Sequence, residues 1–165
     1  MNISLIDLKR QYETIKEDGD KAVLKVLNDA KYIMGENVVS FEKEFASYIG
    51  VKHAISVGNG TDALIIALKA LGIGHGDEVI TTPFTFFATA ESISFVGATP
   101  VFVDVLKDSY NIDPEEIEKA ITENTKAIMP VHIFGQAADM DSVCREQRAK
   151  NPNTEPIEEA IAESH

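Results

Sequence analysis

A run of small and polar residues, Val57-Gly58-Asn59-Gly60-Thr61-Asp62-Ala63-Leu64, joins a short apolar stretch to an amphipathic one. Read as strand, glycine turn and helix, it points several unpaired backbone N–H groups at one spot, in front of the positive end of the helix. Thr61 adds a hydroxyl donor. Such a turn suits a phosphate group, and it equally suits a plain turn in which Thr61 caps the helix. It is not the six-residue dinucleotide fingerprint, because the third glycine is missing at the required spacing. A second stretch, Thr82-Pro83-Phe84-Thr85-Phe86-Phe87-Ala88-Thr89, lies just beyond a predicted strand and gathers three aromatic residues. A ring there can stack on a flat heteroaromatic ligand, or lie in the core beneath the next helix. Val131-His132-Ile133-Phe134-Gly135-Gln136 forms a third loop at a strand end. His132 has no visible partner for acid–base work and reads as structural, and no His or carboxylate cluster has metal spacing.

The elements that must position these loops alternate. Ala54–Val57 reads as a short strand, and the helix after it carries Leu64, Ala67, Leu68 and Leu71 before Gly72. Glu78–Thr82 is a second strand, closed by Pro83, and a helix through Ala90, Ile93 and Val96 ends at Gly97. Pro100–Val105 is a third strand. Asp113-Pro114-Glu115-Glu116 starts a helix with an acidic cap, a proline at the first helical position and acids in the first turn. Ala127–Val131 is a fourth strand. This alternation predicts a parallel sheet covered by helices. Residues 1–50 read as a helical segment. Its first helix carries Ala22, Val23, Val26 and Leu27, and Gly19 weakens it by roughly 1 kcal/mol relative to alanine. Gly35 separates it from a second helix with Val38, Phe41, Phe45, Tyr48 and Ile49 on one face and Gly50 as its stop. Residues 51–142 then form the α/β part. Residues 143–165 hold no strand-like run; Ile157, Ala160 and Ile161 line at most a short helix, so a poorly packed tail is expected.

Composition narrows the function classes. The chain has 165 residues, and 15 basic against 27 acidic side chains give 15 − 27 = −12. That balance argues against nucleic acid and against an anionic membrane surface, both of which need clustered Lys and Arg. It does not exclude a small anion held at a helix N-terminus. Cys144 is the only cysteine, so no intrachain disulfide forms. Charge appears at Asp7, before a signal-peptide core, and no apolar run approaches the roughly 18 residues of a membrane helix. A cytoplasmic setting is expected.

Taken together and in order, these stretches resemble the N-terminal half of the DegT–DnrJ–StrS family of nucleotide-sugar aminotransferases. The matching pieces begin with Ile6-Asp7-Leu8, Gln11-Tyr12, Ile33-Met34-Gly35-Glu36-Asn37-Val38 and Phe41-Glu42-Lys43-Glu44-Phe45-Ala46. They continue with Gly58–Leu64, Gly76-Asp77-Glu78-Val79-Ile80, Pro83–Thr89 and Gly97–Asp104. Thr125-Lys126-Ala127-Ile128 and Val131–Asp141 complete the series, which covers residues 1 to about 142. The resemblance implies a partial, truncated three-layer α/β/α domain of the aspartate-aminotransferase-type fold with pyridoxal 5′-phosphate as cofactor. It implies that Gly60, Thr61 and Asp62 hold the cofactor phosphate and that Phe86 stacks on the pyridine ring. It places Gly35 and Phe134 near the sugar substrate. It further implies glutamate as amino donor, a nucleotide-linked keto-sugar as acceptor, and a homodimer for the intact enzyme.

The sequence also departs from that family. The chemistry needs a lysine that bonds to the cofactor aldehyde and an acid facing the pyridinium nitrogen. In the family both follow the matched region. Lys69, Lys107, Lys126 and Lys150 all lack the apolar strand-end setting that would position and deprotonate an amine, so no catalytic residue is assigned. The family sheet has seven strands in the order 3-2-4-5-6-7-1. Here the strands at 100–105, 78–82 and 127–131 are expected to pair in that order, and Ala54–Val57 lacks its neighbour. A truncated or frame-shifted, inactive aminotransferase is therefore expected, with the sequence past about Ser142 unrelated to the family. Two alternatives are a non-catalytic remnant that binds a phosphate ligand or an intact homologue, and a small nucleotide-binding α/β domain unrelated to this cofactor.

Overall fold

The computed structural model describes residues 6–150, with side chains to residue 145. Ile157, Ala160 and Ile161 lie outside the described residues. Two compact units divide between Ser56 and Val57.

The first unit is two helices, α1 (Leu8–Asp29) and α2 (Glu36–Ile49). The Asp7 carboxylate caps α1 by accepting the Arg10 N–H at 3.0 Å. The helix runs through Gly19 and ends at Ala30 in the left-handed region. It has no buried side chain, so surface pairs such as Lys16–Asp20 and Lys21–Glu17 support it locally, each worth little in water. Gly35 starts α2. A Cβ there would fall 2.8 Å from the Lys31 carbonyl oxygen, backbone against backbone, which only glycine allows. Gly50 ends α2 at φ +85°, as expected of a glycine stop.

The second unit is a three-layer α/β/α arrangement. Its sheet has the order β2-β1-β3, with β1 (Glu78–Thr81) central, β2 (Thr99–Phe102) and β3 (Thr125–Ile128). Both pairings are parallel, and the order is the one expected for these three segments. Successive side chains of a strand face opposite ways, and the core divides accordingly. Val79 and Ala127 join Leu64, Leu68, Ala88 and Ile93 on one face, under α3 (Gly60–Ala70) and α4 (Ala88–Phe95). Ile80 and Ile128 join Ile117 and Val143 on the other, under α5 (Pro114–Ala120) and α6 (Met140–Lys150). Asp113 caps α5 by accepting the Glu115 N–H at 2.9 Å, with Pro114 at the first helical position as read from the sequence.

Two expectations need correction. Ala54–Val57 is not a strand. No described strand pairs with it, and the Ser56 N–H instead donates to the Glu42 carboxylate at 2.8 Å. The stretch from Val143 is not loose where it is described: α6 runs to Lys150, and Val143 is 1% exposed within the second cluster. Val143 packs on the sheet because Ile80 and Ile128 need cover on that face.

Asp139 fixes the start of α6. Its carboxylate accepts the Ser142 N–H at 3.1 Å and the Ser142 hydroxyl at 2.7 Å. The Ser142 hydroxyl first, then its N–H, hold the Asp139 carboxyl below the usual aspartate range. A lowered folded-state value means the stabilisation is present at neutral pH and is lost as pH falls through the acidic range. The protection factors of residues 142–144 are therefore expected to fall on acidification more than that of Met129, and Asp139→Asn should remove this difference. In the core, Ile80→Ala is expected to lower unfolding free energy by about 2–5 kcal/mol, measurable by denaturant titration.

Candidate functional site

Because the three strands run parallel, their carboxyl ends lie on one edge. The chain leaving β1 enters α4 on one face of the sheet, and the chain leaving β3 reaches α6 on the other. In open α/β sheets the crevice between two such strand ends is where ligands bind. The loops 82–87 and 129–139 flank it.

α3, which packs against α4, opens with the glycine turn. Asn59 is the cap, in extended backbone at φ −169°. Its Oδ1 accepts the Asp62 N–H at 2.9 Å, and its Nδ2 donates to Asp62 Oδ2 at 3.0 Å. Thr61, the cap expected from the sequence, is instead the second helical residue. The fully extended Asn59 reaches the third helical N–H first. A side chain at Gly58 would strike the Asp62 carboxylate at 2.8 Å. Among the described hydrogen bonds, none takes the Gly60 N–H, the Thr61 N–H or the Thr61 hydroxyl, and no atom lies within 4 Å of the place a Gly60 Cβ would occupy. Three donors at the start of this helix are therefore not spent on any described hydrogen bond, with open space beside Gly60, and a helix N-terminus of this kind fits a phosphate. Asp62 contributes differently from its neighbours: its N–H is spent on the cap, and its carboxylate is tied back to Asn59.

The aromatic residues of the second loop are not core. Phe86 is 74% exposed and Phe87 73%. Phe86 immediately precedes the turn into α4, whose first residues Ala88 and Thr89 are buried. The backbone beneath it is held by polar contacts. Thr82 Oγ1 accepts the Phe84 N–H at 3.1 Å, and the Thr85 and Thr89 hydroxyls are paired at 2.9 Å. The Thr81 hydroxyl ties the end of β1 to the Met129 carbonyl at 2.9 Å. A fixed loop with an exposed ring face is what stacking on a flat ligand requires.

Phe84 sits in an aromatic group built from all three strand ends. Its ring lies 5.3 Å from Tyr110, which follows β2, and 6.3 Å edge-on from Phe134, which follows β3. Phe134 is thus placed at this edge. Tyr110 and Asn111 were not singled out from the sequence, where Tyr110-Asn111 looks like an ordinary lead into the Asp113 cap. Their signal is a left-handed backbone, φ 60° at Tyr110, which sequence spacing does not reveal. His132 Nδ1 accepts the Ala138 N–H at 3.0 Å, the structural role read for it. Gly35 belongs to the first unit and shapes the α1–α2 turn there.

No described lysine is buried. Lys69 ends α3 with its ammonium 5.5 Å from the Phe95 ring centre, Lys107 lies in the turn after β2, and Lys126 is the second residue of β3. Among the described residues, no group of three or more His, Cys, Asp or Glu stands ready to hold a metal ion. No helix among them is long and apolar enough to cross a membrane.

Relatives share this arrangement. A pleiotropic regulatory protein of Geobacillus stearothermophilus is 50% identical over 87% of this chain and 38% of its own length. A dTDP-3-amino-3,6-dideoxy-alpha-D-galactopyranose transaminase of Aneurinibacillus thermoaerophilus is 44% identical over 99% of this chain and 44% of its own. The crystal structure of DesV from S. venezuelae, in complex with a ketimine intermediate, superposes with a TM-score of 0.89 at 40% identity, covering 93% of this chain and 41% of that one. The chain thus spans about two fifths of the length of these relatives. The similarity runs past Ser142, so the expectation that the following sequence is foreign to the family is corrected. The reading as an unrelated nucleotide-binding domain is set aside for the same reason. With the family profile matching residues 13–151, the chain belongs to the DegT/DnrJ/EryC1/StrS aminotransferase family.

Proposed function

We propose that this chain supplies the phosphate-holding and ring-stacking part of a pyridoxal 5′-phosphate site in a nucleotide-sugar aminotransferase. The amino donor would be glutamate and the acceptor a nucleotide-linked keto-sugar, in a cytoplasmic homodimer. The observation that carries this reading is that the Gly60 N–H, Thr61 N–H and Thr61 hydroxyl, all at the start of α3, are taken by no described hydrogen bond, with open space beside Gly60. Solved relatives with bound cofactor, such as ntda from Bacillus subtilis with PMP, support it.

The bound cofactor supplies an electron sink that lets an amino group move between two carbon skeletons. This chain's residues do the holding. Gly60 and Thr61 donate to phosphate oxygens, and the helix end adds its partial positive charge. Asp62, locked to Asn59, keeps the turn in shape and leaves the two N–H groups before it unspent. Phe86 covers one face of the ring and excludes water there. The amine that the chemistry needs has no counterpart among the lysines whose side chains are described, all of them exposed and none at a carboxyl strand end in an apolar setting. Within these residues the role is binding rather than bond-making, which also keeps open a remnant that holds a phosphate ligand or pairs with an intact homologue.

Binding of pyridoxal 5′-phosphate, followed by absorbance or calorimetry, should weaken about tenfold or more in Thr61→Ala, from loss of a bond to a charged group. Phe86→Ala should weaken it by about 2- to 12-fold, from loss of stacking. Phe86 is exposed, so its removal should change unfolding free energy by no more than about 0.5 kcal/mol, which separates binding from folding. Unchanged affinity in both variants would sink the cradle. Borohydride treatment of the chain mixed with cofactor, followed by peptide mapping, should trap no one-to-one adduct at a single lysine. A stoichiometric adduct at one site would show that the chain carries its own catalytic amine.

A further inference from the structure

Asn111 is polar, only 2% exposed, and unused by the function proposed above. Its carboxamide is spent entirely on one segment, 22 to 26 residues further along the chain. Nδ2 donates to the carbonyls of Gln136 at 3.1 Å and Ala137 at 3.0 Å. Oδ1 accepts the Ile133 N–H at 3.2 Å. One side chain therefore grips both ends of the turn that contains Phe134, and His132 closes the same loop through the Ala138 N–H.

That turn would not hold its shape unaided. Phe134 lies at φ 53° and Gly135 at φ 80°, and an aromatic residue avoids the left-handed region. Phe134 is 84% exposed, so burial of its own ring does not compensate. Its described ring contact is the edge-on one with Phe84. The conformation is held by a buried amide whose three described bonds all go to this turn, beside the apolar layer of Ile112 and Ala138.

We propose that Asn111 is a positioning residue: it holds the 133–137 turn so that Phe134 stands against Phe84 as a preset wall of the carboxyl-edge site, against which a sugar nucleotide would lie. The identity of that ligand rests on the aminotransferase reading; the positioning does not. A ring held in advance loses little freedom when a ligand meets it, whereas a ring on a relaxed turn must be ordered at binding.

The test compares Asn111→Ala, Phe134→Ala and the double variant. Amide exchange should accelerate tenfold or more at Ile133 and Ala138 in Asn111→Ala, with Met129 and Val103 unchanged; equal exchange in the loop overturns the positioning. UDP-N-acetylglucosamine and dTDP-glucose are the ligand probes, with pyridoxal 5′-phosphate as internal reference. Affinity for the sugar nucleotide that binds should fall about threefold to tenfold in each single variant and no further in the double, while cofactor affinity stays the same. Additive losses, or equal losses for cofactor and sugar nucleotide, would mean a general structural role and overturn the proposal. Should Asn111→Ala not fold, Phe134→Ala decides the wall: unchanged sugar-nucleotide affinity sinks it. If the unmutated chain binds cofactor but neither sugar nucleotide, the wall is overturned and the cofactor reading stands. If it binds neither class, the aminotransferase reading fails for this chain, and loop exchange alone decides the positioning.

Discussion

Everything described in the second unit hangs on β1. It is the central strand, bonded on both sides to parallel neighbours, and Val79, Ile80 and Thr81 are fully buried. It is covered on both faces, by α3 and α4 on one side and by α5 and α6 on the other. The chain leaving β1 and the chain leaving β3 therefore reach helices on opposite faces of the sheet. The Thr81 hydroxyl then fixes the two strand ends relative to each other through Met129. The site loops are consequences of this ladder, since the phosphate turn, the Phe86 loop and the Phe134 loop take their places from helices and strand ends that pack on it.

Much of this was legible in the sequence, for a physical reason. Val79, Ile80, Ala127 and Ile128 form continuous apolar runs, the mark of strands buried on both faces. Gly50, Gly72 and Gly97 punctuate the helices, and all three adopt positive φ. Asp113-Pro114 starts a helix because cap and fixed φ act locally. The glycine turn at 58–60 and the helix after it were legible because glycine and asparagine mark turns and caps locally.

What sequence could not show is long-range. Ala54–Val57 has the composition of a strand, but a strand exists only with a partner, and none is described. The choice of Asn59 over Thr61 as cap depends on which side chain reaches the third N–H, a difference of backbone angle and not of residue type. The packing of Val143 depends on Ile80 and Ile128, more than ten residues away on the chain. Asn111 is the clearest case. Nothing in its neighbourhood predicts a grip on Ile133, Gln136 and Ala137, and only the fold brings them together.

Tyr110 and Phe134 both carry bulky rings on left-handed backbone, at a cost of about 1 kcal/mol each. Glycine or asparagine would relieve that strain at either position. Evolution toward thermal robustness alone would therefore be expected to erase these two rings early. Their persistence in a lineage would report selection for something other than durability.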